Sequence, residues 1–495
     1  MDLSNLQRLT ILIWFVLLTN VSHCSEIVNV TTPAGHLGGI RETLTLPDFK
    51  SVTVTSFWGI PYAEPPIGSL RFRKPVAKQR IRGDYLLADT ESVACAQNPA
   101  ILKSWVAGPS AMSEDCLKLN VYVPDTPRPF SVVKLPVMVW FYGGAFLIGQ
   151  TRIYDGRRLA ALGNVIVVTV NYRLGPLGFL STEDSVAPGN LGLWDQHVAL
   201  RWVQNNIAAF GGNPDHVTVF GESAGGASSI YQLLYPGNKG LIRRAIAESG
   251  NALCPWGFQP LPGRVLAERL AERLKCEVTG SGVGRSQSIV DCLRTKPFLD
   301  IVTNSSVGTL EETLFRAEWV PTLDGDFLKA DPRDTLRWPP TLTDSGDLDL
   351  FRSVDLLIGT NNDDGEVIAG ITVQTFLMDR TGMTFQDNNL TSSVVTQYLF
   401  PQMTQDRYNV SCSVTTRALE RVYEDHDQVT ERRRALQEIL DSTSDFEFIM
   451  PALFTAGNHA VWTVRSGRLV PSVEVLLLVV IFRASPPNTF FFNSF

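Results

Sequence analysis

A serine between two glycines is the residue of this chain best suited to nucleophilic chemistry. The run VTVFGESAGG, residues 217–226, starts with β-branched and aromatic residues and breaks at once into GESAG. It therefore predicts a strand, a sharp turn and a helix, with Ser223 at the turn. A serine hydroxyl is a weak nucleophile at neutral pH and must be held exposed, within reach of a base. Gly221 and Gly225 lack a Cβ atom and let the backbone crowd around such a turn. The pattern is typical of a nucleophile elbow, and a Gly- and Ser-rich loop is the alternative interpretation.

Two sets of main-chain donors are expected near this serine. The N-terminus of the following helix would point at the reacting centre, so the N–H of Ala224 is a candidate donor to a developing oxyanion. Residues 135–141, LPVMVWF, are apolar almost throughout and predict a central strand covered on both faces. Gly143 and Gly144 come directly after this strand. They fit either an oxyanion loop or an ordinary turn.

Further patterns predict the elements that must position these residues. Strands are expected at 119–123, 165–170, 245–249 and 355–359, and helices at 195–210 and 263–275. Because strands alternate with helices, we expect a mostly parallel sheet covered by helices. Residues 27–54 alternate apolar and polar side chains and predict short antiparallel strands. Residues 57–72, FWGIPYAEPPIGSLRF, are too rich in Pro and Gly for regular structure, and their aromatic residues favour an ordered loop.

Composition and charge exclude some classes of protein. The chain has 495 residues, of which 44% are hydrophobic and 19% charged, so it can bury a large core. Its net charge is -7 and it contains no long basic run. We therefore expect no nucleic-acid partner.

The N-terminus has the pattern of a secretory signal peptide. Arg8 precedes an apolar run at residues 9–18, and small residues follow. A run of this length is too short for a membrane span, which needs about 20 residues. We expect residues 1–24 to be a signal peptide removed after Cys24, and the mature chain to be extracellular without a transmembrane anchor. Sequons for surface glycosylation fit that compartment and occur at Asn29, Asn304, Asn389 and Asn409.

Six cysteines follow the expected signal peptide, and secretion permits disulfides. They are Cys95, Cys116, Cys254, Cys276, Cys292 and Cys412. Connectivity does not follow from a sequence alone, so a pairing is a hypothesis. The pairs that would close loops of about twenty residues or fewer, each worth ~3 kcal/mol in the loop-entropy model, are Cys95 with Cys116 and Cys276 with Cys292.

Six segments in chain order make the comparison with known proteins specific. They are GIPYAEPPIGSLRF, SEDCLKLNVYVP, WFYGGAFLIG, NVIVVTVNYRLGPLGFLS, NLGLWDQ and VFGESAGG. Together they resemble the type B carboxylesterase family of the α/β-hydrolase fold over roughly residues 26–460. The resemblance implies one domain over residues 25–462, with a mostly parallel central sheet covered by helices and a small antiparallel N-terminal sheet. Residues 463–495 have no family counterpart and are expected to replace the last strands and helices of the domain.

The resemblance also implies a mechanism. Ser223 would attack an ester carbonyl to form an acyl-enzyme, which water then hydrolyses. The oxyanion donors would be the N–H groups of Gly144, Ala145 and Ala224, with Gly143 shaping the loop. Ala145 stands where many relatives have a third glycine, and a main-chain donor survives that change. The chemistry needs no cofactor and no metal.

The acid of the triad follows the serine in this fold. Within GTNNDDGEV, residues 359–367, Asp364 matches the family position, and Asp363 is the neighbouring alternative. Its task is to orient a histidine and stabilise the imidazolium. Glu222 matches a family glutamate beside the nucleophile, and we assign it a supporting role behind the reacting groups.

The histidine base is the part of the family pattern that this sequence lacks. Only His426 and His459 follow Asp364. His426 lies in a highly charged stretch, and His459 lies in a segment similar to a family helix that precedes the catalytic-histidine loop. The loop itself is absent, and the apolar run at 475–482 is too short to span a bilayer. We expect little turnover and low stability, since loss of the base can cost about 10⁶ in turnover.

Three functions remain open at this stage. The first is a secreted serine hydrolase acting on carboxylic esters, with lipids and sterol esters as candidate substrates. A cholinesterase is the enzymatic alternative and needs an aromatic choline site. The family also includes adhesion proteins that kept the fold and lost catalysis, which gives a binding function as the third. The sequence does not determine an oligomeric state.

Overall fold

The computed structural model describes most of the chain. The described residues are 26–45, 51–101, 111–125, 134–259, 261–307, 317–336, 348–361, 364–387, 389–403, 419, 422–423, 431–459, 462–465, 468–471 and 477–482. Several features named above lie outside them, namely the expected signal peptide at 1–24, Asp363, Asn409, Cys412 and His426.

The strands fall into one large sheet and two small ones. They are β1 (Glu26–Thr32), β2 (Gly35–Thr45), β3 (Ser51–Pro61), β4 (Tyr85–Leu87), β5 (Ala94–Cys95), β6 (Met112–Ser113), β7 (Lys118–Pro124), β8 (Leu135–Phe141), β9 (Ile166–Val170), β10 (Gly212–Glu222), β11 (Arg244–Glu248), β12 (Asp355–Asn361), β13 (Trp462–Arg465), β14 (Arg468–Pro471) and β15 (Leu477–Phe482). In the large sheet the order is β1-β2-β3-β7-β9-β8-β10-β11-β12-β15, and β4 pairs with β2. The hairpin β13-β14 and the pair β5-β6 stand apart from it.

The large sheet has an antiparallel half and a parallel half. Neighbouring strands from β1 to β9 are antiparallel. Those from β9 through β8, β10, β11 and β12 to β15 are parallel. The antiparallel strands expected near the N-terminus thus continue the central sheet as one mixed sheet. The parallel half carries the elbow and, as in other parallel sheets, is covered on both faces.

The described α-helices contribute mainly to the large core around this sheet or to a second, smaller apolar cluster. They are α1 (Arg157–Gly163), α2 (Gly175–Phe179), α3 (Leu191–Asn206), α4 (Ala224–Leu234), α5 (Gly263–Arg273), α6 (Gly282–Thr295), α7 (Phe298–Thr303), α8 (Pro332–Thr335), α9 (Asp349–Ser353), α10 (Gly365–Ile368), α11 (Gln374–Thr381), α12 (Ser392–Val394), α13 (Glu431–Ser444) and α14 (Met450–His459). Helix α4 is buried along almost its whole length and packs on β10 and β11. A helix buried on all sides belongs to the centre of a large domain. The elbow therefore sits in the core of the molecule rather than on a peripheral loop.

The prediction of an irregular loop at residues 57–72 is wrong for its first five residues. Strand β3 continues through Phe57 to Pro61 against β7, with a register shift between Phe57 and Ile60. Gly59 has a φ of 69° and donates its N–H to Asn120 Oδ1 at 2.9 Å. A bulge with glycine in a left-handed conformation lets the strand absorb an extra residue and go on. The glycine that argued against a strand is thus what permits it.

Helix α3 starts four residues earlier than the periodicity predicts. It begins at Leu191, after Asn190 in a left-handed conformation with a φ of 56°. Gly192 hides the pattern because it contributes no apolar side chain. A Cβ atom there would lie 2.5 Å from the carbonyl oxygen of Arg173, so close packing excludes a larger residue.

The described residues form two disulfides, Cys95–Cys116 and Cys276–Cys292. They are the pairs that close the shortest loops. Cys254 is buried.

The apolar run near the C-terminus forms the last strand of the sheet. Strand β15 lies parallel to β12, in register from Leu356 opposite Leu477 to Asn361 opposite Phe482. Among the helices that the structure describes, none is long and apolar enough to cross a membrane.

Candidate active site

Ser223 occupies a sharp turn between β10 and α4. Its φ of 56° and ψ of −122° lie in a region that residues other than glycine rarely adopt. The Ser223 N–H donates to the carbonyl of Glu248 at 2.8 Å, and the Ser223 carbonyl accepts from Ala227 at 3.0 Å. These bonds hold the strained turn between the neighbouring strand β11 and the helix. The serine itself is half-buried.

Glycines around the turn are required by close backbone contacts. A Cβ atom would lie 2.4 Å from the Phe141 carbonyl oxygen at Gly221 and 1.9 Å from it at Gly225. At Gly250, after β11, it would lie 2.0 Å from the carbonyl oxygen of Ser223. The two glycines expected to let the chain crowd around the serine are thus needed in this turn, and Gly250 is a third that the motif does not contain.

The loop after β8 lies directly beside the serine. Strands β8 and β10 are parallel, with Phe141 opposite Gly221. Gly143 lies two residues after Phe141, and Ser223 lies two residues after Gly221. A Cβ atom on Gly143 would lie 3.0 Å from the Cβ of Ser223. Gly144 and Ala145 then turn the chain, with φ values of 108° and 55°.

Three main-chain donors border this space. Within the described residues, the N–H groups of Gly144, Ala145 and Ala224 have no hydrogen-bond acceptor. An N–H group without a partner at the edge of a half-open site is available to a developing negative charge. The arrangement is able to stabilise a tetrahedral intermediate at a carbonyl carbon.

Two tyrosines, which the motif analysis did not single out, hold the loop after β8. The hydroxyl of Tyr172 donates to the Tyr142 carbonyl at 2.7 Å, and the hydroxyl of Tyr142 donates to the Tyr172 carbonyl at 3.1 Å. Their rings stack with centroids 4.5 Å apart. Both residues lie in quoted segments, but their reciprocal bonding spans thirty positions and leaves no local signal.

Gln97 secures the far end of the same loop. Its side-chain amide donates to the Gly149 carbonyl at 2.8 Å and accepts from the Gly149 N–H at 2.9 Å. Gln97 lies two residues after Cys95, so the disulfide Cys95–Cys116 helps to anchor this support.

Asp364 lies just beyond the carboxyl end of β12. In register, Glu222 of β10 is opposite Glu248 of β11, which is opposite Gly359 of β12. Two strand spacings place these ends about 10 Å apart, a gap that a side chain between them can bridge. Asp364 is thus on the same edge of the sheet as Ser223.

A single residue orients the Asp364 carboxylate. Asn361 donates its main-chain N–H to Oδ2 and its side-chain amide to Oδ1, both at 2.8 Å. The next residue, Gly365, donates its N–H to Ser444 Oγ at 3.0 Å and so ties the turn to α13. The family segment contains Asn361, but only the coordinates reveal that it holds the Asp364 carboxylate.

Glu222 places a second carboxylate next to the serine. A Cβ atom on Gly143 would lie 2.9 Å from Glu222 Oε2. Desolvation, followed by the charges of Asp364 and Glu248, raises the pKa of Glu222 to about 7, although Glu222 is exposed to solvent. Glu222 in turn contributes, after burial, to raising the pKa of Tyr154 to about 12.

Two histidines of the described part of the chain have hydrogen-bond partners, and neither partner belongs to the candidate site. His36 Nδ1 lies 3.0 Å from Thr31 Oγ1, and His197 Nδ1 lies 2.7 Å from Asn238 Oδ1. His459 is the last residue of α14. One turn earlier, Thr455 Oγ1 is 3.0 Å from Asn251 Oδ1, which follows Gly250 beneath the elbow.

Three of the four sequons fall within the described residues. Asn29 on β1 and Asn389 are exposed, whereas Asn304 is half-buried. Their positions are compatible with attached glycans, which stay a prediction.

A serine on a strand-turn-helix elbow of a parallel sheet, with main-chain donors beside it and a carboxylate after a later strand, defines an α/β-hydrolase. Residues 25–468 match the model of the Carboxylesterase family, and the chain belongs to that family. This confirms the resemblance and the fold class inferred from the quoted segments.

Curated relatives carry two different names. The chain is 39% identical over 381 residues to a bile salt-activated lipase of Bos taurus, covering 74% of this chain and 58% of the relative. It is 40% identical over 367 residues to a cholinesterase of Mus musculus, covering 72% and 57%. For a bile salt-activated lipase of Homo sapiens the identity is 40% over 365 residues, covering 71% and 44%. The chain thus spans about half the length of the curated relatives that it matches.

Proposed function

We propose that this chain is a carboxylic ester hydrolase in which Ser223 is the nucleophile. The observation that carries the proposal is the strained backbone of Ser223, at a sharp turn directly beside Gly143 in the loop after β8. Family membership supports it, since the model of the Carboxylesterase family covers most of the chain. An acyl-enzyme on Ser223 would form and then be hydrolysed by water.

Each of the other site residues has a role in this proposal. The N–H groups of Gly144, Ala145 and Ala224 stabilise the oxyanion, and loss of one such donor typically costs about 3 kcal/mol of transition-state stabilisation. Gly143 allows the loop to approach the serine. Asp364, oriented by Asn361, is the acid of the triad and would orient a base between itself and the serine.

Turnover should be slow but dependent on Ser223. A short-chain nitrophenyl ester is a suitable substrate because it carries a good leaving group, and product release is followed by absorbance. We expect Ser223→Ala to abolish the hydrolysis above background, whereas Ser185→Ala, which changes an exposed serine away from the site, leaves it intact. Equal rates for wild type and Ser223→Ala would refute the proposal.

The relatives' names suggest two substrate classes. The name of the bile salt-activated lipases suggests lipid esters as candidate substrates of this chain, and the name of the cholinesterase suggests choline esters. We propose lipid or other simple carboxylic esters as the substrates. A higher kcat/KM for a choline ester than for an acylglycerol of equal acyl length would assign the chain to the second class. Failure of Ser223 to react with any acylating agent would favour a binding or adhesion function.

We also propose that the protein is secreted. The signal-like N-terminus, the two disulfides and the exposed sequons at Asn29 and Asn389 support this localisation. Expression in a secretory cell line should deliver the chain to the medium, with a mass that falls on treatment with a glycosidase.

A further inference from the structure

Gln97 is a buried side chain whose amide group is fully bonded to the main chain. It is 1% exposed. Its Nε2 donates to the carbonyl of Cys95 at 2.9 Å and to the carbonyl of Gly149 at 2.8 Å, and its Oε1 accepts from the Gly149 N–H at 2.9 Å. The two bonds with Gly149 are those that a paired residue makes in an antiparallel sheet. Gln97 therefore holds Gly149 by its donor and its acceptor at once.

Gly149 is connected to the donor loop through one short turn. Ile148 directly precedes it and donates its N–H to the Gly144 carbonyl at 3.0 Å, as does Leu147 at 2.9 Å. A Cβ atom on Gly144 would lie 2.3 Å from the carbonyl oxygen of Ile148. Residues 144–148 thus form a closely packed turn, and a displacement of Gly149 is transmitted to Gly144.

The start of the loop is held by different partners. Tyr142 and Tyr172 exchange hydrogen bonds between hydroxyl and carbonyl groups at 2.7 and 3.1 Å. The two ends of the loop also touch, since a Cβ atom on Gly149 would lie 2.3 Å from Tyr142 Cδ2 and 2.9 Å from the carbonyl oxygen of Gly143. With the start fixed in this way, the bonds from Gln97 determine where the other end lies.

We propose that Gln97 is a positioning residue for ester hydrolysis, which through Gly149 holds the N–H groups of Gly144 and Ala145 where an oxyanion develops. The inference rests on the proposed function and adds a residue that touches neither the substrate nor the reacting atoms. Oxyanion donors act only when they are aligned with the transition state, and a displacement of about 1 Å can cost about 100-fold in rate. Loss of the Gln97 amide should therefore slow acylation without weakening ground-state binding.

The first test is the kcat/KM for a short-chain nitrophenyl ester. Gln97→Met keeps the size of the side chain but forms neither bond with Gly149, so kcat/KM should fall about 10- to 100-fold at every pH. In Gln97→Glu the neutral carboxyl group can both donate to and accept from Gly149, whereas the ionised carboxylate can only accept. Burial raises the pKa of a carboxyl group and brings this change into the range from pH 5 to pH 9.

The ratio of the Gln97→Glu rate to the wild-type rate should therefore fall as the pH rises through this range. Gln79→Glu makes the same exchange at an exposed position and is the matched control. Its rate should equal that of the wild type at each pH.

A pair of inhibitors separates positioning from a general effect on the fold. A trifluoromethyl ketone forms a tetrahedral adduct on Ser223 whose oxygen takes the oxyanion position, whereas the corresponding secondary alcohol forms no adduct. In Gln97→Met the inhibition constant of the ketone should rise by the factor by which kcat/KM falls, and that of the alcohol should stay within about twofold. A residue that only stabilises the fold would lower the melting temperature and leave both constants of the folded enzyme unchanged.

The outcomes distinguish the two proposals. Equal ester hydrolysis by wild type and Ser223→Ala would mean that the proposed function is wrong. If hydrolysis depends on Ser223 but Gln97→Met keeps both kcat/KM and the ketone affinity, the proposed function stands and the role of Gln97 is overturned. If Gln97→Met does not fold, the pH profile of Gln97→Glu decides. A rate ratio that does not change with pH would overturn the role, because the bonds with Gly149 would not control the rate.

Discussion

Ser223 is held in a backbone conformation that costs stability. A residue other than glycine in such a region of backbone space costs about 1–3 kcal/mol. The strain is maintained by the bonds to Glu248 and Ala227 and by the close approach of Gly250. Strain at a turn of this kind is a feature of sites where chemistry takes priority over stability.

Replacing the serine by glycine should therefore stabilise the protein. Ser223→Gly relieves the positive φ and is expected to raise the free energy of unfolding by about 1 kcal/mol relative to Ser223→Ala, which keeps the strain. Denaturant unfolding of both variants measures the difference. An alanine variant as stable as the glycine variant, or more so, would mean that the turn is relaxed.

Residue types at the site were predictable to different degrees. Ser223 and its flanking glycines follow a local pattern, because a tight turn demands small residues at fixed positions. The clamp of Asn361 on Asp364 and the paired tyrosines Tyr142 and Tyr172 were not predictable, because side-chain bonds across a fold leave no periodicity in the sequence.

The elbow depends on three neighbouring strands of the sheet. Strand β10 delivers the serine, β8 delivers the donor loop in register with it, and β11 supplies the carbonyl that holds the turn. The contact at Gly225 is the tightest of the junction, since a Cβ atom would lie 1.9 Å from the Phe141 carbonyl oxygen. Strand, turn and helix thus fit only around a glycine.

Alanine at this junction should disrupt the element. Gly225→Ala is expected to lower the free energy of unfolding by about 1–3 kcal/mol, because backbone atoms have to move apart. Gly284→Ala is the matched control: this helical glycine of α6 has open space around it, and alanine should raise the stability by up to about 1 kcal/mol. Thermal unfolding of the two variants should therefore shift in opposite directions. A neutral Gly225→Ala would contradict the tight elbow.

Elements with a simple pattern were predicted, and those with an interruption were not. The buried strand β8 has the bounds that its apolar run indicates, residues 135–141. The bulge at Gly59 and the glycine at the start of α3 broke the patterns of β3 and α3, so β3 continues further than predicted and α3 begins four residues earlier. In each case a close backbone contact, invisible in the sequence, explains the glycine.

At the scale of the whole molecule, the active site depends on the order of strands in the sheet. The alternation of strands and helices predicts a parallel sheet, but the adjacency of β8, β10, β11 and β12 is a long-range property. That adjacency brings Ser223, Glu222, Glu248 and Asp364 to one edge. Periodicity does not reveal this strand order, whereas the family resemblance implies it. The match to the family model confirms the fold.

The C-terminal tail also enters the sheet. Its apolar run was expected to replace the last strands of the domain, and β15 pairs in parallel with β12 beside the turn that carries Asp364. Pairing covers the edge of β12, which would otherwise expose unpaired main-chain groups. The tail therefore borders the strand that leads to Asp364.

The most direct test of the account is to locate the residue that a fluorophosphonate modifies. The intact chain is treated at pH 8, digested and sequenced by mass spectrometry, with Ser223→Ala as the control. We predict a single adduct on the peptide that contains Ser223 and none in the variant. An unmodified Ser223, or an adduct on another serine that persists in Ser223→Ala, would contradict the central claim that the elbow presents an activated nucleophile.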